Sequence, residues 1–135
     1  MTKHSIAQSN SVSIEAYKSV EGLKLVELVQ PQDLIGKFTL QAGSFEWLNI
    51  ELDSTMKYTI KGRGCLGQHP GALNGTWSIS YSRLLTLHTS ARKEIFDVLK
   101  FRGSFYLVDP IRRREFIEQL KQNNQVVTFY SKPIN

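Results

Sequence analysis

Apolar and polar side chains alternate strictly in several stretches in the middle of the chain. The clearest stretches are residues 37–40, 47–52 and 57–61. Because successive side chains of a β-strand point to opposite faces, this period of two predicts strands with one buried and one exposed face. The breaks between the stretches are short, which favours hairpins and therefore antiparallel neighbours. The alternation thus restricts the middle of the chain to antiparallel β-structure.

Further apolar stretches continue the pattern towards the C-terminus, at residues 77–79, 85–87, 95–101 and 104–108. The dipeptide Arg102-Gly103 between the last two is typical of a tight hairpin turn. A glycine-rich break at residues 62–74 predicts one long loop. The sequence therefore predicts a meander of about seven or eight strands over residues 34–108.

A meander of this size has to protect its two edge strands. A closed or nearly closed barrel removes the edges, and a sandwich would also cover them. The barrel is favoured because sequential hairpins need no long crossover. A chain of 135 residues can bury a core without metal or disulfides, so a single domain over residues 1–135 is expected.

Asp109-Pro110 is the clearest helix start in the sequence. Aspartate can cap the free amides of the first turn, and proline at the first helical position loses no hydrogen bond. An amphipathic helix is predicted over residues 109–123, and its apolar face comprises Phe116, Ile117 and Leu120. The apolar residues 126–130 predict a strand that closes the barrel.

The N-terminal region carries weaker signals. Residues 1–12 are polar and without periodicity, which predicts a flexible segment. A short helix is expected from Ser13, because Ser13 can cap it and Ile14, Tyr17 and Val20 recur every three residues. Residues 23–29 are compatible with either a helix or a strand.

Three short motifs resemble small lipocalin-like (calycin) barrels: LIGKFTL at the start of the meander, NGTWSI, and LLTL shortly after it. In lipocalins, a Gly-x-Trp motif lies in the first strand, and its indole closes one end of the barrel. Here Gly36-Lys37-Phe38 occupies the similar place, with phenylalanine instead of tryptophan. The family's late-strand arginine, which packs on that tryptophan, has no clear counterpart. The resemblance supports a barrel more than it supports a ligand inside it.

The alternation assigns ten large apolar side chains to the barrel interior. The candidate ligand-binding residues among them are Phe38, Leu40, Tyr58, Trp77 and Leu87. Ten such side chains can also fill a small barrel completely. A filled interior is therefore the preferred expectation, and a ligand cavity is the alternative.

Arg112, Arg113 and Arg114 lie in the first turns of the predicted helix, where positive charge opposes the helix dipole. Guanidinium groups bind carboxylates and phosphates in bidentate fashion, so Arg112 and Arg114 are candidate partner-binding residues. Trp47, on the polar face of its strand, is a third candidate. In the structural alternative, the stem of Arg113 lies along the barrel with its charged group in water, and the other two arginines are solvated.

Chemistry-bearing residues give little support for catalysis. Cys65 and His69 share the glycine-rich loop, where histidine could activate a thiolate, but an idle cysteine is the more common case. A zinc site needs further ligands, and none lie nearby. Asp97 is in phase with apolar neighbours, so its carboxylate must find a partner or shift its pKa. No catalytic residue, metal or cofactor is predicted.

Charge and targeting features limit the partners and the compartment. The net charge of +5 could favour an acidic protein surface, but it forms no basic stripe of the kind that nucleic-acid binders carry. No segment is apolar enough for a membrane helix, and no apolar stretch of a secretory signal follows Lys3. A single cysteine fits a reducing compartment, so a cytoplasmic location is expected.

Two main functional hypotheses follow. The first is a non-enzymatic binding module that recognises a protein partner through its arginines and Trp47. The second is a lipocalin-like carrier of a small apolar ligand. A cysteine-dependent enzyme is a distant third.

Overall fold

The computed structural model describes residues 12–41, 47–63, 73–123 and 126–134. Within these residues, nine β-strands are accompanied by two α-helices and two 3₁₀ helices. In chain order the elements are a 3₁₀ helix Ile14–Ser19, β1 (Lys24–Leu25), α1 (Pro31–Leu34), β2 (Gly36–Gln41), β3 (Trp47–Leu52), β4 (Lys57–Arg63), β5 (Leu73–Ser80), β6 (Leu84–His88), β7 (Lys93–Phe101), β8 (Ser104–Val108), a 3₁₀ helix Pro110–Arg112, α2 (Arg113–Asn123) and β9 (Tyr130–Pro133).

Eight of these strands form a closed antiparallel barrel. Each strand from β2 to β8 pairs with the next one along the chain, and β9 pairs with both β8 and β2, which closes the ring. The short β1 lies outside this ring and pairs with the last part of β7, through Lys24–Lys100 and Leu25–Leu99. The predicted mainly β fold, with a meander barrel and a C-terminal helix, is confirmed.

Local signals explain several of the element boundaries. Arg102 and Gly103 both have positive φ, as the two central residues of a type I′ hairpin turn require. Asp109 caps the start of the C-terminal helical region, and its side chain accepts a hydrogen bond of 3.0 Å from the amide of Ile111. Ser13 caps the N-terminal helix in the same way, although that helix is of the 3₁₀ type.

The barrel interior holds a cluster of apolar side chains, here called the inner cluster. Its fully buried members include Phe38, Ile50, Leu85 and Val98. One end of the barrel is closed by the single turn α1, whose Leu34 is buried in the same cluster. The lipocalin resemblance places an aromatic plug on the first strand, which here is Phe38. At this closed end, however, the indole N–H of Trp77 on β5 donates to the carbonyl of Asp53, 3.2 Å away.

A second apolar cluster, the outer cluster, lies on the outside of the barrel wall. It joins α2 and the N-terminal 3₁₀ helix to the outward faces of β7 and β8. The predicted apolar face of α2 is confirmed, because Phe116, Ile117 and Leu120 are all buried in this cluster.

The last strand begins at Tyr130, whereas the sequence pattern predicted a closing strand over residues 126–130. Thr128 has a positive φ of 66°, which interrupts an extended strand at that point. Phe129 is buried in the outer cluster rather than in the barrel. Because Phe129 packs against the helix, the strand begins only at Tyr130. Residues 23–29, which were ambiguous, contain only the two-residue β1.

Candidate functional site

A recess lies at the end of the barrel opposite α1, among the residues that the structure describes. Inward-facing side chains at this end form a cavity of about 290 Å³, here called the mouth. The mouth is lined by Leu48, Ile60, Gly62, Leu73, Arg92, Glu94 and Tyr130. Five strands or their adjoining turns contribute to it, so the barrel scaffold fixes its shape.

Strand register brings the apolar wall of the mouth together. Leu48 and Ile60 continue the inward rows that begin in the inner cluster, and Ile60 pairs with Leu73 on β5. Leu73 is 60% exposed although it is apolar. Gly62 pairs with Leu48 and has no side chain, so it adds no bulk to the cavity. The result is an apolar recess that remains accessible to solvent.

Glu94 gives the mouth a carboxylate. It has the same strand parity as Phe96 and Val98, which are buried in the inner cluster, so it faces into the barrel. Its side chain is 39% exposed and lies 3.9 Å from the guanidinium of Arg92, which is 72% exposed. Among the described lining residues, the charged pair is therefore Glu94, held on a strand, and the solvent-exposed Arg92.

Tyr130 places a hydroxyl on the mouth. Its ring packs edge-to-face with that of Phe96, with ring centroids 6.4 Å apart. Burial, and then the negative charge of Glu94, raise the pKa of Tyr130 to about 12. The same two causes raise the pKa of Tyr58, in the same order. At neutral pH the Tyr130 hydroxyl is therefore a neutral hydrogen-bond donor and acceptor.

The five ligand-binding residues predicted from the sequence do not line the mouth. Phe38, Tyr58, Trp77 and Leu87 are buried in the inner cluster, and Leu40 is half-buried. Packing around Tyr58 is tight, because a Cβ at Gly75 would lie 2.6 Å from its ring and would collide with the carbonyl of His88. These buried side chains thus form a packed core, whereas the mouth is built from other residues.

The residues predicted for a protein partner occupy different environments. Arg112 donates to both carboxylate oxygens of Glu115, at 2.9 and 2.8 Å, and to the carbonyl of Thr128 at 3.0 Å. Its guanidinium also lies 4.1 Å from the centroid of the Phe129 ring. Arg114 is exposed on α2. Arg112 is therefore engaged within the chain.

Trp47 begins β3 and is 36% exposed on the outward face of the barrel. It pairs with Gln41, whose carbonyl accepts a hydrogen bond of 3.2 Å from the amide of Thr128. Because Arg112 binds the carbonyl of the same Thr128, a chain of contacts links Arg112 to the strand pair that carries Trp47.

Asp97 anchors a hydrogen-bonded network in the outer cluster, on the outward face of β7. Its carboxylate is completely buried and accepts from Tyr17 Oη at 2.6 Å, Arg113 Nε at 2.6 Å and Arg83 Nη1 at 2.9 Å. Arg113 Nη1 also donates to the carbonyl of Val12 at 2.9 Å. The expectation that Asp97 must find a partner agrees with this geometry. The charged group of Arg113 lies in this network and not in water, since the buried carboxylate requires compensation.

Sequence reasoning missed Glu94, Tyr130, Arg83 and the role of Tyr17. Glu94 and Tyr130 could have been found from strand parity, if the inward face of β7 and the start of β9 had been known. Nothing local points to Tyr17, which lies 80 residues from Asp97 in sequence. Cys65 and His69 fall outside the residues that the structure describes.

Comparisons with known proteins give no match: no protein family, curated protein or solved structure is significantly similar to this chain. Among the described residues, no three His, Cys, Asp or Glu side chains group as metal ligands. None of the helices in the described part has the length and apolarity needed to cross a membrane. The closed eight-stranded antiparallel barrel agrees with the architecture implied by the lipocalin resemblance.

Proposed function

We propose that this protein is a non-enzymatic, lipocalin-like barrel that binds a small, largely apolar molecule in its mouth. The observation that carries the proposal is the asymmetry of the barrel. At one end, Leu34 of α1 is buried in the inner cluster and the indole of Trp77 is hydrogen-bonded, whereas described residues at the other end line a cavity of about 290 Å³. Concave sites with mainly apolar walls and a few polar groups are typical of small-molecule binding.

The size of the mouth limits the ligand. Pockets for drug-sized molecules usually measure roughly 300–1,000 Å³, so the mouth lies near the lower end of that range. Below the mouth, the inner cluster is packed tightly around Tyr58 and Gly75, where an added Cβ would lie 2.6 Å from the tyrosine ring. The ligand is therefore small, with its apolar part against Leu48, Ile60 and Leu73.

A ligand-binding assay with mouth variants tests this proposal. We expect naphthylethanol, a small apolar probe, to shift the amide NMR signals of Leu48, Ile60 and Tyr130. Ile60→Trp should abolish these shifts by filling the cavity. Leu73→Ser should weaken them without touching the packed core, because Leu73 is exposed.

Leu28→Ser is the matched control, since Leu28 is also an exposed leucine but does not line the mouth. It should leave probe binding unchanged. Absence of any shift at the mouth, or equal loss in Leu28→Ser and Leu73→Ser, would contradict the proposal.

Recognition of a protein partner is the second candidate. It is favoured by exposed apolar side chains next to Arg112 and Thr128 in sequence, namely Ile111 and Val127. It is weakened because Arg112 and Arg113 are hydrogen-bonded within the chain. The role of Arg112, Arg114 and Trp47 in holding an acidic partner stays a prediction.

A further inference from the structure

We infer that the mouth selects, among small apolar molecules, those that carry a protonated amine. This inference rests on the proposed function and adds the chemical class of the ligand. The observation behind it is a carboxylate held in a cavity whose wall also carries three aliphatic side chains and the ring of Tyr130.

Glu94 is placed to receive a cation that enters with an apolar body. Its backbone is held in the barrel wall, because Glu94 pairs with Leu87 of β6. Its side chain shares the cavity with Leu48, Ile60 and Leu73. An apolar group seated against these residues therefore has a carboxylate within the same cavity. Hydrogen bonds between charged groups are stronger than neutral ones, so a matching ammonium group would add affinity.

The aromatic ring of Tyr130 adds to the attraction. Tyr130 lines the mouth, and its ring packs against that of Phe96. Aromatic faces attract cations through their quadrupole, and this attraction grows when the cation is shielded from water. The negative charge of Glu94 raises the pKa values of Tyr58 and Tyr130, after burial, while Arg92 lowers that of Tyr58. The same carboxylate would repel an anion that entered the mouth.

Among the described residues that line the mouth, Arg92 is the charge that competes for Glu94. Its guanidinium lies 3.9 Å from the Glu94 carboxylate, but it is 72% exposed and comes from the turn before β7. Pairs this exposed contribute little, because solvent screens them and the side chains lose freedom. The ammonium group of a ligand whose apolar part binds in the mouth can therefore displace the Arg92 guanidinium from the Glu94 carboxylate.

Three probes that share one apolar body test the inference: naphthylethylamine, naphthylethanol and naphthylacetate. Calorimetric titration at neutral pH should give the amine about tenfold higher affinity than the alcohol, as expected for one charged hydrogen bond. The carboxylate should bind most weakly. In Glu94→Gln the preference for the amine should disappear while the affinity for the alcohol stays the same.

Glu51→Gln is the matched control, because Glu51 is an exposed glutamate on β3 that does not line the mouth. It should keep the preference for the amine, and Arg92→Ala should increase it. If none of the three probes binds, the proposed function itself fails. If all bind equally, if the carboxylate binds best, or if the preference survives in Glu94→Gln, the inference is overturned while the barrel remains a binding protein.

Discussion

The two apolar clusters share the strand β7 but are built differently. Phe96 and Val98 face the inner cluster, in which the buried side chains are apolar or aromatic. Asp97 and Leu99 face the outer cluster, where a fully buried carboxylate meets two arginines and a tyrosine. Over residues 96–99, the inward face of the strand thus belongs to an apolar core, whereas the outward face carries a buried charge.

The difference reflects how each cluster is held. The barrel wall is connected by backbone hydrogen bonds all the way round, so its interior needs only apolar packing. The helix α2 and the N-terminal 3₁₀ helix contribute no strand to that wall. Apolar contacts are not directional and would allow several positions of these helices on the barrel wall. The hydrogen bonds of Asp97, in contrast, require a defined geometry. We expect the Asp97 network to specify where these two helices lie.

The largest effect is expected from Asp97→Ala. This substitution leaves Arg113 buried without its counter-charge, and breaking such a pair usually lowers the free energy of unfolding by about 3–5 kcal/mol. Urea denaturation of the variant measures the loss. A decrease below about 1 kcal/mol, the usual value for an exposed ion pair, would show that the outer cluster does not depend on its charges.

The inner cluster is tested by comparing two leucines. Leu85→Ala removes a completely buried side chain and should lower the free energy of unfolding by about 2–5 kcal/mol. Leu48→Ala makes the same chemical change at the half-buried wall of the mouth, and should lower it by less than half as much. Equal losses in urea denaturation would show that the mouth is as tightly packed as the core.

Tyr17→Phe separates the hydrogen bond of Tyr17 from the rest of the outer cluster. The ring keeps its edge-to-face contact with Phe116, while Asp97 loses one donor and keeps both arginines. A hydrogen bond to a charged group is worth about 1.5–3 kcal/mol, and the stability should fall by that amount. If Asp97→Ala is already in place, adding Tyr17→Phe should cost much less, and a fully additive double variant would contradict the network.

The smallest effect concerns alkaline pH and the mouth. The pKa of Tyr130 is raised from 10.0 to about 12 in the folded protein. The neutral phenol is thus favoured by folding, so its contribution to stability is fully present below pH 10 and is lost as the pH rises towards about 12. In an absorbance titration of tyrosinate, Tyr130→Phe should lack one group that titrates near pH 12 in the wild type. Identical titration curves for the variant and the wild type would rule out this assignment.

The sequence pattern predicted the barrel well because the alternation of side chains between the two faces of a strand can be read from the sequence of that strand alone. It could not tell which face of β7 points inward, because Phe96 and Val98 on one face and Leu99 and Phe101 on the other are all apolar. Without that orientation, Glu94 could not be assigned to the mouth. The position of α1 at one end of the barrel likewise depends on how the segment before β2 packs.

The start of β9 and the Asp97 network could not be predicted from local sequence, because both depend on contacts between residues far apart in the chain. Residues 126–130 are apolar or β-branched as a strand would be, but Arg112 binds Thr128, and Phe129 packs on the helix. The capping signals at Ser13 and Asp109 were readable because their partners lie two residues away. Partners far apart in sequence leave no such local signal.

The long sequence separations in the Asp97 network also bear on how long the folded state lasts. Tyr17 and Asp97 are 80 residues apart, and Arg113 and Val12 are 101 apart. Contacts that close such long loops are costly to form early, so we expect them to be made after the transition state for folding. Interactions absent from the transition state mainly slow unfolding. The network would then slow unfolding without speeding folding. Asp97→Ala should therefore raise the unfolding rate and shorten the lifetime of the native protein, while leaving its folding rate nearly unchanged.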